Sequence, residues 1–156
     1  MIEAIQNFAA SLPQALHWLG ILVISAIPFI DSYLGSVIGI VIGLPAPVAI
    51  PLAIVGNIVS VTLVVAVTAA IRKRAVGETP TSSTPRREKV RRAMDRYGVA
   101  GVALLGPFVL PSQFTSLAMI SFGVNKKAVL TWQFISIVIW GVAFGTLAAL
   151  GVNMMR

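Results

Sequence analysis

Residues 46–71 and 128–152 each run without a charged residue for more than the roughly 20 positions a helix needs to cross a bilayer. Between them lie nine of the twelve Lys and Arg residues, from Arg72-Lys73-Arg74 through Arg86, Arg87, Lys89, Arg91 and Arg92 to Arg96. Inside a bilayer every backbone N–H and C=O must be satisfied by the chain itself, so apolar runs of this length fold as helices. Short basic loops next to spanning helices stay in the cytoplasm. The pattern predicts an all-α integral membrane protein, multi-pass in the cell membrane, with loop 72–96 inside the cell.

Composition agrees. Of 156 residues, 57% are hydrophobic and 11% charged, and the mean hydropathy is +0.92; soluble domains carry roughly 25% charged residues. The net charge of +7 sits in one juxtamembrane loop, without the interleaved aromatics of a nucleic-acid surface, so no nucleic acid is expected as a partner. There is no cysteine, and the single histidine, His17, stands beside Trp18 as an interfacial residue without metal-site spacing. Glu3 and the lack of any Lys or Arg before residue 72 argue against a signal peptide, so the first apolar run is read as retained. No Ser/His/Asp set, carboxylate pair or phosphate loop is present. The expectation is a non-enzyme without cofactor or metal.

The chain reads as one membrane domain, 1–156, in two halves. Residues 1–12 are an amphipathic lead-in and 14–30 an apolar run of marginal spanning length. Residues 32–44 are Gly-rich and too short to span. The helix 46–71 opens at Pro45 and Pro47, and Pro51 can kink it. After the polar connector 75–84, Pro85 starts a basic amphipathic helix to Tyr97, with Val90, Ala93, Met94 and Tyr97 on one face; it is read either as lying under the headgroups or as a solvated linker. Residues 99–124 are broken by Gly106, Pro107 and Pro111, and 128–152 form the last helix. The first half is thus 1–71, the basic loop 72–96, and the second half 97–156.

The halves echo one another. Pro28-Phe29-Ile30 is matched by Pro107-Phe108-Val109, and Gly43 by Gly123; each glycine precedes a short linker and a long helix. If 99–124 enters and leaves on the cytoplasmic side, Lys126 and Lys127 stay inside with the basic loop. The halves then run in opposite directions, as an inverted repeat of a re-entrant, broken segment plus a spanning helix, after an N-terminal helix. Such interrupted segments in corresponding places point to a transport site. Two Pro-kinked full spans are the alternative.

Pro28-Phe29-Ile30-Asp31, the Gly-spaced run to Gly43, Gly56-Asn57, Tyr97-Gly98 and Pro107-x3-Pro111 together resemble the small multidrug export proteins. That family is distantly similar to the DedA-type (SNARE-associated) membrane proteins. The resemblance covers roughly residues 20–150 and implies paired re-entrant segments and movement of small molecules or lipid carriers. The family's acidic position falls on Asp31 and its Gly-Asn on Gly56 and Asn57. Two family arginines are missing: Ser32 and Tyr33 follow Asp31, and Gln113 lies where the second would be.

Asp31 is the only carboxylate outside the N-terminus and the basic loop. An aspartate at helix centre costs about 2.5–3.5 kcal/mol on insertion scales, so it either exchanges a proton in a polar path or caps the following segment at the outer interface. Asn57 and Ser60 share a face of their helix; they either bond helices together or line a cavity with Asp31 and Gln113. Ser112, Gln113, Thr115 and Ser116, beside Pro107 and Pro111, are the densest polar cluster in any apolar run. Arg87, Arg91 and Arg92 suit anionic headgroups. The leading expectation is export of a small solute or drug-like compound, proton-coupled through Asp31. The alternatives are a flippase for a lipid carrier (polyprenyl phosphate or phospholipid) and a non-transporting assembly subunit. Membrane lipids are the expected partners, and Gly35, Gly39 and Gly43, spaced by four, suggest a homodimer or larger homo-oligomer. The substrate is left open.

Overall fold

A computed structural model describes residues 16–74 and 85–154, so the lead-in 1–12 and the connector 75–84 lie outside the described residues. Among the described residues six helices follow one another: α1 (His17–Ile24), α2 (Asp31–Val41), α3 (Ala46–Arg74), α4 (Pro85–Leu105), α5 (Ser112–Ser121) and α6 (Lys126–Met154). A single 3-10 turn, Gly106–Phe108, joins α4 to α5, and no strand occurs among the described residues.

Within the apolar run of marginal spanning length, residues 17–30 do not form one continuous helix. Helix α1 stops after eight residues, and the chain then folds in tight turns, with Ala26 N–H donating to Val23 O and Ile27 N–H to Ile24 O. Pro28 has no N–H to give, and Phe29 takes a positive φ of 78°. In the second half the same office falls to Gly98, at φ 68° and ψ −177°, which bends α4 between its basic and apolar parts. The break 106–111 then separates α4 from α5.

Two compact units form, and they cut across both long helices. The first holds residues up to Ser60 and from Ile137 onward; the second holds Val61–Ser136. In the first unit α1 packs on α2 around Ile21, Ile24, Ile30, Ile38 and Ala53. Helix α2 uses small residues on both flanks. A Cβ at Gly39 would sit 2.8 Å from Ala49 Cβ, and one at Gly141 or Gly145 would come within 3.2 Å of Ser32 Cβ or 3.1 Å of Ser36 Cβ. Of the glycines spaced by four, Gly35 abuts Ser25 and Ala53 and Gly39 abuts Ile21 and Ala49 within the chain, while Gly43 follows the end of the helix in open space. In the second unit the apolar part of α4 packs on α5, with Val61, Val65, Val102, Ala103, Met119, Ile120 and Val129 buried.

One succession of local structures occurs in both halves. Helices α2 and α5 each end in a left-handed glycine, Gly43 (φ 100°) and Gly123 (φ 91°). At each end the glycine N–H and the next N–H fold back onto the helix: Gly43 to Ile40 O and Leu44 to Gly39 O, then Gly123 to Ile120 O and Val124 to Met119 O. This double bond is a Schellman cap, which needs φ > 0 and so favours glycine. A 29-residue helix follows each cap, α6 starting 80 positions after α3 (46 to 126). The buried stripes keep that offset: Ala49, Ala53, Gly56, Asn57, Val61 and Val65 on α3, then Val129, Gln133, Ser136, Ile137, Gly141 and Gly145 on α6.

Helices α3 and α6 are long and apolar enough to cross a membrane. A core helix of a soluble domain passes the same test of length, but it is mostly buried. Here only 33% and 22% of the most apolar stretches are buried within the chain. Along α3, Val55, Val59, Leu63, Val67 and Ile71 make a continuous exposed stripe. So long an apolar surface is compatible with lipid and poorly suited to water.

Candidate polar site in the apolar helices

Asp31 opens α2 and is 2% exposed. Its own φ is +49°, two residues after Phe29 at +78°. Left-handed backbone costs a non-glycine residue about 1–2 kcal/mol, less for Asp than for a bulky aromatic. The gain is placement. The turn buries the carboxyl in the first turn of α2, where the positive end of the helix dipole favours negative charge. Asp31 is therefore at a helix start, as the capping alternative has it, yet enclosed rather than at an exposed interface.

Asn57 is buried at 1% exposure in the same unit, on the inner stripe of α3. One turn further, Ser60 Oγ donates to Ala26 O over 2.8 Å. That carbonyl belongs to the turn after α1. Gly56 lies against the carbonyl of Leu22, where any Cβ would overlap the oxygen. Gly56-Asn57 and Ser60 thus bring α3 onto the broken end of α1, and the Ser60 hydroxyl serves that backbone. Ser32 Oγ likewise donates to Ile137 O (2.8 Å), tying α2 to α6 within the unit.

In the second unit the four clustered polar residues are all buried. Pro107 lies in the 3-10 turn, and Pro111, at φ −52° and ψ 148°, sets the extended residue from which α5 starts. Thr115 Oγ1 donates to Pro111 O (2.8 Å) and Ser116 Oγ to Ser112 O (2.7 Å). Both hydroxyls bond carbonyls in the first turn of α5, where Pro111 O also accepts the Thr115 N–H (3.1 Å). Ser112 Oγ reaches Gln113 Oε1 at 3.3 Å.

Two further polar residues, absent from the sequence-based candidates, complete the cluster. Gln133 and Ser136, on the inner stripe of α6, are 0% and 1% exposed. Gln133 Nε2 donates to Ser112 O over 3.4 Å, while Gln133 Oε1 and Ser136 Oγ have no hydrogen-bond partner among the described residues. The available signal was their spacing of three in a long apolar helix, on the face that Val129 and Ile137 extend.

Of the headgroup candidates, Arg92 is exposed on α4, and Arg87 and Arg91 lie on the same basic part of that helix. Among the described residues no group of three or more His, Cys, Asp or Glu could hold a metal. The structure thus collects Asp31, Asn57 and Ser60 in one unit, and Pro107, Pro111, Ser112, Gln113, Thr115 and Ser116 in the other. No protein family, curated protein or solved structure matches the chain.

Proposed function

We propose that this chain is a multi-pass transporter of a small solute in the cell membrane, with Asp31 as the group that changes charge during its cycle. The observation that carries the reading is a buried carboxylate held on strained backbone at a helix break, inside an otherwise uncharged apolar run. A proton taken up by that carboxyl on one side and released on the other would couple solute export to the proton gradient. The short helices α2 and α5 support re-entrant segments. At 1.5 Å per residue, α2 and α5 rise only about 15–17 Å, roughly half of a 30 Å hydrocarbon core. The matched caps and burial stripes support a repeat. Its inversion is supported by the course of the chain: α3 passes from the first unit to the second, and α6 returns from the second to the first. Inverted, broken helices meeting at membrane depth suit alternating access. With two helices of spanning length, one chain offers little wall for a polar path, and a homodimer or larger assembly is part of the reading.

A second reading follows the resemblance to small multidrug export and DedA-type proteins: translocation of a lipid carrier. Its support is the basic part of α4, where exposed Arg92 lies just before the bend at Gly98. Each Lys or Arg near an anionic surface contributes about 1 kcal/mol of attraction.

Reconstituted vesicles separate these readings. Efflux of ethidium and of labelled erythritol, and flipping of a fluorescent phospholipid, are measured across neutral pH for the wild type and for Asp31→Asn. Loss of solute efflux, or of its pH dependence, in a folded Asp31→Asn protein supports the carboxylate role; unchanged activity and pH profile reject it. Replacing Arg87, Arg91 and Arg92 by Gln weakens lipid flipping, less so as salt rises, if the lipid reading holds.

A further inference from the structure

Among the described residues one buried hydroxyl has no hydrogen-bond partner. Ser25, Ser36, Thr115, Ser116 and Ser121 each donate to the carbonyl four residues earlier, at 2.7–2.8 Å. This is the ordinary resting place of a serine or threonine in an apolar helix. Ser136 has the same option on α6 and does not take it; its Oγ, on a residue 1% exposed, has no partner. One turn before it, Gln133 is in a similar state. Its Nε2 donates to Ser112 O (3.4 Å), which fixes the amide orientation, because the reverse would set two oxygens face to face. The remaining atom, Oε1, is therefore an acceptor, and it also has no partner. Leaving two buried polar atoms unmatched costs about 1–3 kcal/mol each, and packed proteins retain few such groups without a use.

Charge narrows what these atoms take. Every Asp, Glu, Lys and Arg between Val61 and Ser136 belongs to 72–96 or is Lys126 or Lys127. Counted from Lys126, Gln133 and Ser136 lie about 10 and 15 Å along α6, near the middle of a hydrocarbon core of about 30 Å. A cation there meets no carboxylate on α5 or α6 and would lose its hydration without return. An O–H or N–H donor on an uncharged molecule needs only an acceptor, and a hydroxyl beside it for a second bond.

We propose that Gln133 Oε1 and Ser136 Oγ form a binding site for the hydroxyl or amide donors of an uncharged polar solute, flanked by Ser112 and Gln113. The proposal rests on the transport reading above and names the solute class that the second unit takes; the carboxylate at Asp31 stays with the proton.

Binding is measured on the purified full chain in mild detergent, with labelled erythritol and labelled urea as uncharged probes and methylammonium as a charged one. At least one uncharged probe is expected to bind saturably, with at least a tenfold loss in both Ser136→Ala and Gln133→Met. Without solute, Ser136→Ala is expected to melt at or above the wild-type temperature, because it removes only an unmatched buried atom, and Gln133→Met, which trades an unmatched Oε1 for the loss of the long Nε2 bond to Ser112 O, to melt close to it. Binding of neither uncharged probe, tighter binding of methylammonium, or binding that both variants leave intact overturns the proposal. So does a melting temperature lowered by several degrees, which would assign both atoms to the folded framework through a resident water. Vesicle efflux keeps the two failures apart. Saturable binding without efflux sinks the transport reading and leaves the site standing. Efflux that depends on Asp31 but ignores both α6 substitutions sinks the site and leaves transport standing.

Discussion

At Gly56 a missing side chain lets one helix touch the backbone of another. Any Cβ there would overlap the carbonyl oxygen of Leu22, which belongs to a turn of α1 and cannot swing aside as a side chain would. Gly56→Ala gains about 1 kcal/mol of helix propensity and loses about 1–3 kcal/mol or more to overpacking. Its melting temperature in detergent should fall. Gly151, near the end of α6, meets nothing within 4 Å. Gly151→Ala should therefore gain the propensity alone, and its melting temperature should hold or rise. A second pair tests the hydroxyls. Ser60→Ala leaves the Ala26 carbonyl without its 2.8 Å donor and should cost about 1 kcal/mol, whereas Ser121→Ala removes only an exposed bond within its own helix and should be near neutral. At this scale the sequence exposed residue types but not their assignments. Asp31, Asn57 and Gln113 stood out as polar atoms in apolar runs, and all three are buried. That Ser60, Thr115 and Ser116 serve carbonyls at helix breaks depended on where each helix stopped. Gln133 and Ser136 were hidden because a long apolar helix dilutes two uncharged side chains, and only the buried stripe marks them.

Between elements, the two Schellman caps offer a controlled comparison. Gly43 and Gly123 share a conformation, but a Cβ at Gly43 meets open space and one at Gly123 lies 2.8 Å from Arg72 Nη2. The guanidinium of Arg72 thus rests at the C-terminal end of α5, where the helix dipole favours a cation. Gly43→Ala should cost about 1–2 kcal/mol for left-handed backbone alone. Gly123→Ala should cost that much plus up to about 1 kcal/mol for the displaced Arg72 head. In an Arg72→Ala background the two substitutions should become equally costly; a difference that persists would place the extra cost elsewhere. Long helices and glycine stops were readable in the sequence, since charges, prolines and Gly43 or Gly123 bound the runs. Helix α3 extends beyond residue 71 to include Arg72-Lys73-Arg74, because basic residues suit the last turn of a helix and need not end it. The apolar run 14–30 was less legible. Its break is made by backbone turns at Ser25 to Phe29, and hydrophobicity does not encode them.

For the whole molecule, the contact at Gly123 bears on topology. Arg72 lies in the last turn of α3, and Gly123 lies three residues before α6 begins at Lys126, so the end of one long helix and the start of the other are neighbours within the second unit. The charge pattern carries the separate expectation that the basic loop and Lys126-Lys127 lie on one side of a membrane. Under the proposed membrane reading, positive residues at both places would make that side the cytoplasm. The test uses single cysteines at Ser82 and Asn125 in this cysteine-free chain. Asn125 Oδ1 accepts the Lys127 N–H at 2.8 Å, so Asn125→Cys gives up a helix cap worth about 1 kcal/mol; that loss is preferable to removing a lysine, since the lysines are what orient the chain. Both cysteines should resist a membrane-impermeant maleimide in intact cells and react once the cells are opened. Labelling of Asn125→Cys alone from outside would require the segment between Gly98 and Gly123 to cross the bilayer completely. The second broken segment would then be a kinked span, the inverted repeat would fail, and the transport reading would lose its geometric support.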